Sequence, residues 1–138
     1  MSKISCQIEQ VVPFFDIDSM RIVWHGHYVK YMEKARCALL DQIDYNYQQM
    51  EDSGYIWPVV DMRIKYVKPL TFKQVVMIEA KIVEQEYGLK ISFKFTDKRT
   101  GRKLTTAYTK QVAVDKQTGE MCLLSPPILH EKINAYLA

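Results

Sequence analysis

Between residues 89 and 95 every second side chain is apolar, with Leu89, Ile91, Phe93 and Phe95 separated by Lys90, Ser92 and Lys94. Side chains on an extended chain point alternately to opposite faces, so this segment reads as a strand with one face in a core and the other in water. The same period of two returns in Ile4, Cys6 and Ile8, in Val60, Met62, Ile64 and Tyr66, in Val76, Ile78, Ala80 and Ile82, and across residues 104–114. Gly88 and the stretches 97–101 and 115–119 separate the later segments and supply glycine where a tight turn needs positive φ, so antiparallel hairpins are expected.

Residues 28 to about 43 break the rule. There Tyr28, Met32, Ala35 and Leu39 recur at helical spacing among Lys30, Glu33, Lys34 and Arg36, which predicts an amphipathic helix. A second short helix is expected over residues 47–53, with Gly54 ending it in the left-handed conformation. Ser125 is placed to cap a last helix that starts at Pro126 and Pro127 and is anchored by Leu129, Ile133 and Leu137. One strand, a long helix and then four antiparallel strands define an α+β plan, a curved sheet of about five strands wrapped around one helix.

The chain has 138 residues, 48% hydrophobic and 25% charged, which suits one domain spanning residues 1–138 with a single core. The net charge of +3 comes from basic residues interspersed with acidic ones. That pattern lacks the cationic block that grips a phosphate backbone, and nucleic acid is not expected as a partner. Cys6, Cys37 and Cys122 have neither metal-type nor redox-type spacing and are expected as free thiols. Residues 1–4 lead straight into alternation, without the long apolar run of a signal peptide or a membrane span; a cytoplasmic location is the simplest expectation.

The chemistry gathers between the first strand and the long helix, where Asp16, Asp18, His25 and His27 lie within twelve residues. A loop carboxylate is ionised at neutral pH and can attack a carbonyl or activate water, while unsatisfied N–H groups at the helix start stabilise the developing oxyanion. Aspartates in loops also form turns or cap helices, and a histidine near a helix start also bonds to local backbone. Residue types alone leave these alternatives open. His25 and His27 could hold a metal, but no third ligand is evident nearby, and no metal or other cofactor is expected.

Asp16-Ile17-Asp18, then Ile22-Val23-Trp24-His25, then Tyr28, Tyr31, Glu33, Ala35 and Arg36, resemble the motifs of the 4-hydroxybenzoyl-CoA thioesterase family of acyl-CoA thioesterases, which have the hot-dog fold. Tyr66 and Pro69 match it more loosely. The resemblance covers nearly the whole chain and implies hydrolysis of an acyl-CoA, with coenzyme A as part of the substrate. It makes Asp18 the catalytic carboxylate, as nucleophile or general base. It sets His25 at the helix start with its backbone N–H on the thioester carbonyl, and it implies substrate-binding roles for Trp24, His27 and Tyr28. It further implies a homodimer or homotetramer in which each site takes residues from two subunits. Glu33 and Arg36, three apart on the helix, read instead as a structural ion pair.

Two positions depart from the family pattern. Arg21 stands where the family has Gly, so the loop is expected to lose a conformation that only Gly tolerates. Lys73-Gln74 replaces a small-plus-acidic pair. By charge alone Lys65, Lys68, Lys94, Arg99, Arg102 and Lys103 are candidates for the coenzyme phosphates. Two other readings stay in view: a hydratase or dehydratase of acyl thioesters that uses a histidine with a carboxylate, and an acyl-CoA-binding module without activity.

Overall fold

The computed structural model describes residues 4–138; the leader-free reading of the N-terminus falls mostly on residues outside these. In chain order the elements are β1 (Ser5–Val11), a 3-10 turn (Phe14–Asp16), α1 (His27–Gln42), α2 (Tyr47–Asp52), β2 (Tyr55–Ile56), β3 (Val59–Tyr66), β4 (Val75–Glu84), β5 (Leu89–Asp97), β6 (Lys103–Gln111), β7 (Val114–Asp115) and α3 (Pro127–Leu137). Five strands make one antiparallel sheet in the order β1-β4-β5-β6-β3. The alternation read from the sequence sets its faces. Ile78, Ala80, Ile91, Phe93 and Phe95 are buried on the side where α1 lies, against Tyr28, Tyr31, Met32, Ala35 and Leu39 of the helix. Burial of this kind contributes about 25 cal/mol per Å² of apolar surface and is the main force joining helix to sheet.

Four details differ from the expectation. β3 does not form a hairpin with β4 but crosses over to pair with β6, which leaves it at a sheet edge. The strand expected over residues 104–114 ends at Gln111, and Val114–Asp115 leave the sheet to pair with Tyr55–Ile56. Ser125 does not cap α3: Pro126 holds the N-cap, and the Ser125 hydroxyl accepts the N–H of Gly88 at 3.0 Å. Leu129 and Ile133 anchor α3 as expected, but Leu137 is exposed.

The short helix is as expected. Asn46 and Gln49 bond reciprocally in a capping box at its start, and Gly54 follows its end with φ of 99°. Arg36 is 1% exposed; its Nε donates to Glu33 at 2.8 Å, its Nη1 to Gln111 Oε1 at 2.7 Å, and it lies over the Phe93 ring. Gln111 passes the network on to the Trp57 carbonyl at 2.7 Å. The pair read as structural is therefore one end of a buried polar tie between α1 and the sheet.

Candidate functional site

The segment between β1 and α1 folds back on itself as a miniature hairpin. Ile17 bridges Val23, Asp18 N donates to Ile22 O at 2.9 Å, and Arg21 N donates to Asp18 O at 3.0 Å to close a tight turn. Such a turn needs a left-handed residue, and Arg21 supplies it with φ of 66°. The expectation for this position is thereby overturned: the chain keeps a backbone shape that suits Gly and bears the steric cost in arginine. A second long cation, Lys73, does the same with φ of 68° in the neighbouring loop, which Ile22 reaches by a bridge to Thr71.

Asp16 and Asp18 diverge in environment. Asp16 is 1% exposed; its carboxylate accepts Tyr31 Oη at 2.5 Å and Lys30 Nζ at 2.8 Å, and its carbonyl accepts Trp24 N at 3.0 Å. Burial pushes its pKa up, yet the Lys30 and Tyr31 hydrogen bonds outweigh that and hold it below the usual carboxylate value. It is thus a fixed charge that pins the hairpin to α1. Asp18 is only partly buried, and its Oδ1 accepts the N–H of Met20 at 2.8 Å. Part of its acceptor capacity therefore goes into local turn geometry, and its second oxygen has no partner among the described residues.

The helix start lies next to this hairpin. α1 begins at His27 with Gly26 as N-cap, and the His27 N–H is already bonded to Trp24 O at 2.9 Å. The N–H groups of His25 and Gly26 bond to no acceptor among the described residues, and they stand at the positive end of the helix dipole. The Trp24 indole lies over Gly26 so closely that an added Cβ would sit 2.1 Å from the ring. That contact, not backbone freedom, is why glycine stands here. Trp24 also packs on both histidine rings, with centroids at 5.0 Å from His25 and 5.4 Å from His27.

His25 is exposed and its carbonyl accepts Tyr66 Oη at 3.2 Å. His27 is partly buried with Nε2 3.7 Å from Asp16 Oδ1. Tyr28 is 2% exposed, its hydroxyl accepts Leu70 N–H at 3.2 Å, and its ring packs between Tyr66 and Phe95. The structure therefore brings Trp24, His25 and His27 together at one surface and puts Tyr28 behind them in the core of the described subunit. Phe14, Phe15 and Met20, all strongly exposed, surround the same hairpin, with Phe72 edge-on to Phe14 at 5.5 Å. Sequence reasoning did not single out these four.

Beyond the Ile22–Thr71 bridge an open cleft of about 360 Å³ is lined by Lys68, Pro69, Thr71, Gln74 and Arg102. Among the described residues no group of three or more histidine, cysteine or acidic side chains could hold a metal ion. No helix among the described residues is long and apolar enough to cross a membrane.

Residues 12–131 match the Thioesterase-like superfamily. A Bacillus subtilis (strain 168) protein named "Putative acyl-CoA thioesterase YneP" is 32% identical over 108 residues, 78% of either chain. The DHNA-CoA thioesterase of Staphylococcus aureus aligns in structure with a TM-score of 0.83 and 21% identity, over 96% of this chain and 91% of that one. A 4-hydroxybenzoyl CoA thioesterase mutant solved with 4-hydroxybenzoyl CoA aligns with a TM-score of 0.78 and 17% identity, over 94% and 99%. At such identities the likeness is one of fold, the hot-dog fold, in which a curved sheet encloses the long helix.

Proposed function

The chain belongs to the thioesterase-like superfamily, and from that membership we propose that it is an acyl-CoA thioesterase with Asp18 as its catalytic carboxylate. The observation that carries the reading is the division of labour between the two aspartates. Asp16 is consumed by Tyr31 and Lys30, which leaves Asp18, with one oxygen unengaged, at the head of a hairpin pinned beside the start of α1.

In the reaction, water adds across the thioester and gives a carboxylic acid and the coenzyme thiol. Asp18 either attacks the carbonyl carbon itself or takes a proton from the attacking water. The carbonyl oxygen gains negative charge as the tetrahedral intermediate forms, and the His25 and Gly26 N–H groups at the positive end of α1 are the donors that meet it. Trp24 and His27 form the wall of the acyl site. Lys68 and Arg102, in the cleft beyond Thr71, are the cations best placed for the coenzyme phosphates. The cysteines Cys6, Cys37 and Cys122 are all free, which favours a reducing, cytoplasmic setting. A homodimer joined along the open edge of β3 supplies what the exposed aromatic surface around the site lacks.

The test is thiol release from a panel of acyl-CoAs. Asp18→Asn and Asp18→Ala are expected to lose roughly 10²- to 10⁴-fold in kcat with an unchanged fold by circular dichroism. Wild-type turnover in both variants would remove Asp18 from the mechanism. One observation favours a second reading, the approach of His27 Nε2 to Asp16 at 3.7 Å, since a hydratase uses a histidine with a carboxylate. Hydration of crotonyl-CoA without thiol release would select it.

A further inference from the structure

We propose that Tyr66 is a positioning residue of the site: its hydroxyl latches the peptide between His25 and Gly26 in the orientation that turns the Gly26 N–H toward the thioester oxygen. The proposal rests on the thioesterase reading for what that N–H meets; the latch itself stands on the geometry of one turn.

Residues 24–27 form a β-turn, closed by the bond from His27 N to Trp24 O at 2.9 Å, with His25 and Gly26 in its two central positions. The peptide that joins the central residues is the movable part of such a turn. Types I and II differ by rotating it through roughly half a circle, which exchanges the sides on which its carbonyl and its N–H lie. In a trans peptide those two groups point in opposite directions, so fixing one aims the other. The second central residue has φ of about −90° in type I and about +80° in type II. Gly26, at φ −68° and ψ −24°, has the first shape.

A residue with a Cβ would be held in that shape, because positive φ is costly for it. Glycine is not held. It crosses to positive φ at almost no steric cost, and it stands here because the Trp24 indole leaves no room for a Cβ, which would lie 2.1 Å from the ring. The indole that walls the site thus removes the restraint that would keep the peptide from turning over. In the flipped turn a carbonyl faces the thioester oxygen where a donor is required, and the developing negative charge is repelled.

Tyr66 supplies the missing restraint. Its hydroxyl donates to the His25 carbonyl at 3.2 Å from 41 residues away in sequence, and only one of the two peptide orientations allows that bond. The hydroxyl is held from behind: the Tyr66 ring is edge-on to the buried Tyr28 ring at 4.7 Å, and the Tyr28 hydroxyl accepts the N–H of Leu70 at 3.2 Å. The N–H groups of Val67 and Lys68 both bond to Leu104 O, at 3.1 and 2.9 Å, and tie the end of β3 to the sheet. Tyr66 therefore takes its position from the sheet and imposes it on the start of α1. Because the Tyr66 side chain is exposed, water takes its place at the carbonyl once the hydroxyl is removed, and the expected loss is a partial one.

The experiment is Tyr66→Phe, which keeps the ring against Tyr28 and deletes the latch alone. In the free protein, NMR relaxation dispersion at the His25 and Gly26 amides should show the turn exchanging between two states in Tyr66→Phe and not in wild type. The kcat for thiol release from an acyl-CoA should fall roughly tenfold with KM within about twofold, a fraction of the ~10²–10³-fold worth of a whole oxyanion donor. In the Asp18→Asn chain, which holds an acyl-CoA unreacted, adding Tyr66→Phe should move the carbonyl stretch of the bound thioester toward its value in water. In the Gly26→Ala background, where a Cβ opposes the flipped turn, Tyr66→Phe should add less than about a twofold further loss. An undisturbed Gly26 amide in Tyr66→Phe overturns the latch, and a further tenfold loss in the Gly26→Ala background overturns the flip. A rise in KM without a fall in kcat would make the hydroxyl a substrate contact instead. If the wild-type chain releases thiol from no acyl-CoA, the thioesterase reading fails, and the amide exchange in Tyr66→Phe still decides whether the hydroxyl holds the turn.

Discussion

The hydroxyl of Tyr31 donates to the buried carboxylate of Asp16 at 2.5 Å, across fifteen residues of chain, and fastens the hairpin before α1 to the second turn of that helix. Lys30 closes the same carboxylate from the solvent side. Asp16→Asn keeps the shape and loses the charge, and it is expected to lower unfolding free energy by about 2–3 kcal/mol; Tyr31→Phe removes one neutral donor and should lower it by about 1–2 kcal/mol. The two losses should be non-additive, because Tyr31→Phe removes the bond that Asp16→Asn weakens. Urea denaturation of both single variants and the double variant measures this.

The same pair predicts a pH dependence. The Asp16 pKa is depressed in the folded chain, because the Lys30 and Tyr31 bonds outweigh its desolvation. A depressed carboxylate contributes stability that is full above its unfolded pKa of about 3.9 and is lost as pH falls through the folded value. Tyr31 shifts the other way: burial, then the neighbouring Asp16 charge, raise it above the ordinary tyrosine value. Its contribution is present below about pH 10 and is lost as pH rises beyond that. Wild type should therefore lose stability below about pH 4, and Asp16→Asn should show a flatter acid limb; equal acid limbs would show that Asp16 is not the responsible group.

Arg21 offers a test of stored strain. Its φ of 66° costs an L-residue about 1–2 kcal/mol, and glycine escapes that cost at the expense of greater freedom in the unfolded chain. Arg21→Gly should therefore be stabilising by about 0.5–1 kcal/mol, whereas Arg21→Ala, which keeps the strain, should be close to neutral. If Arg21→Gly instead destabilises, the guanidinium makes a contact that outweighs the strain.

The regular parts of this fold were legible because single segments carry them. β5 alternates cleanly and α1 keeps helical spacing through four turns; α1 appears within about one residue of the expected bounds, and β5 starts at Leu89 as expected and runs two residues past Phe95. The crossover of β3 was not legible, since alternation tells which face of a strand is buried and nothing about its neighbour. The break after Gln111 escaped notice because Val112 and Val114 prolong an apolar pattern whose partner strand, Tyr55–Ile56, is remote in sequence. Ser125 was lost to a long-range competitor, the Gly88 N–H. At the site, the cluster of Asp16, Asp18, His25 and His27 was visible as a run of polar residues. The different environments of the aspartates were not, because Lys30 and Tyr31, which set them apart, reach Asp16 only in the folded chain.

Gly26 and Trp24 provide a prediction that separates function from stability. The Gly26 backbone has ordinary helical angles, φ −68° and ψ −24°, so alanine is tolerated there without strain. Its methyl group would nevertheless lie 2.1 Å from the indole and must drive Trp24 off the helix start. Gly26→Ala should leave stability within about 1 kcal/mol of wild type. It should also reproduce the loss of thiol release caused by Trp24→Ala. Normal kinetics for Gly26→Ala would mean that the indole does not contribute to the site.

Thr109 on β6 lies opposite Met62 of β3 on one side and Ile91 of β5 on the other, facing the core at 1% exposure. Its hydroxyl has no hydrogen-bond partner among the described residues. A buried hydroxyl without a partner carries its desolvation penalty uncompensated, about 1–2 kcal/mol, while valine fills the same volume without a polar atom. Thr109→Val should thus raise the unfolding free energy by about 1 kcal/mol and Tm by about 3–5 °C. Thr109→Ser, which keeps the hydroxyl and deletes the methyl, should lower both. The contrast excludes a volume effect, because Val and Ser differ from Thr in opposite chemical senses. If Thr109→Val is instead destabilising, the hydroxyl makes a hydrogen bond that outweighs its burial cost.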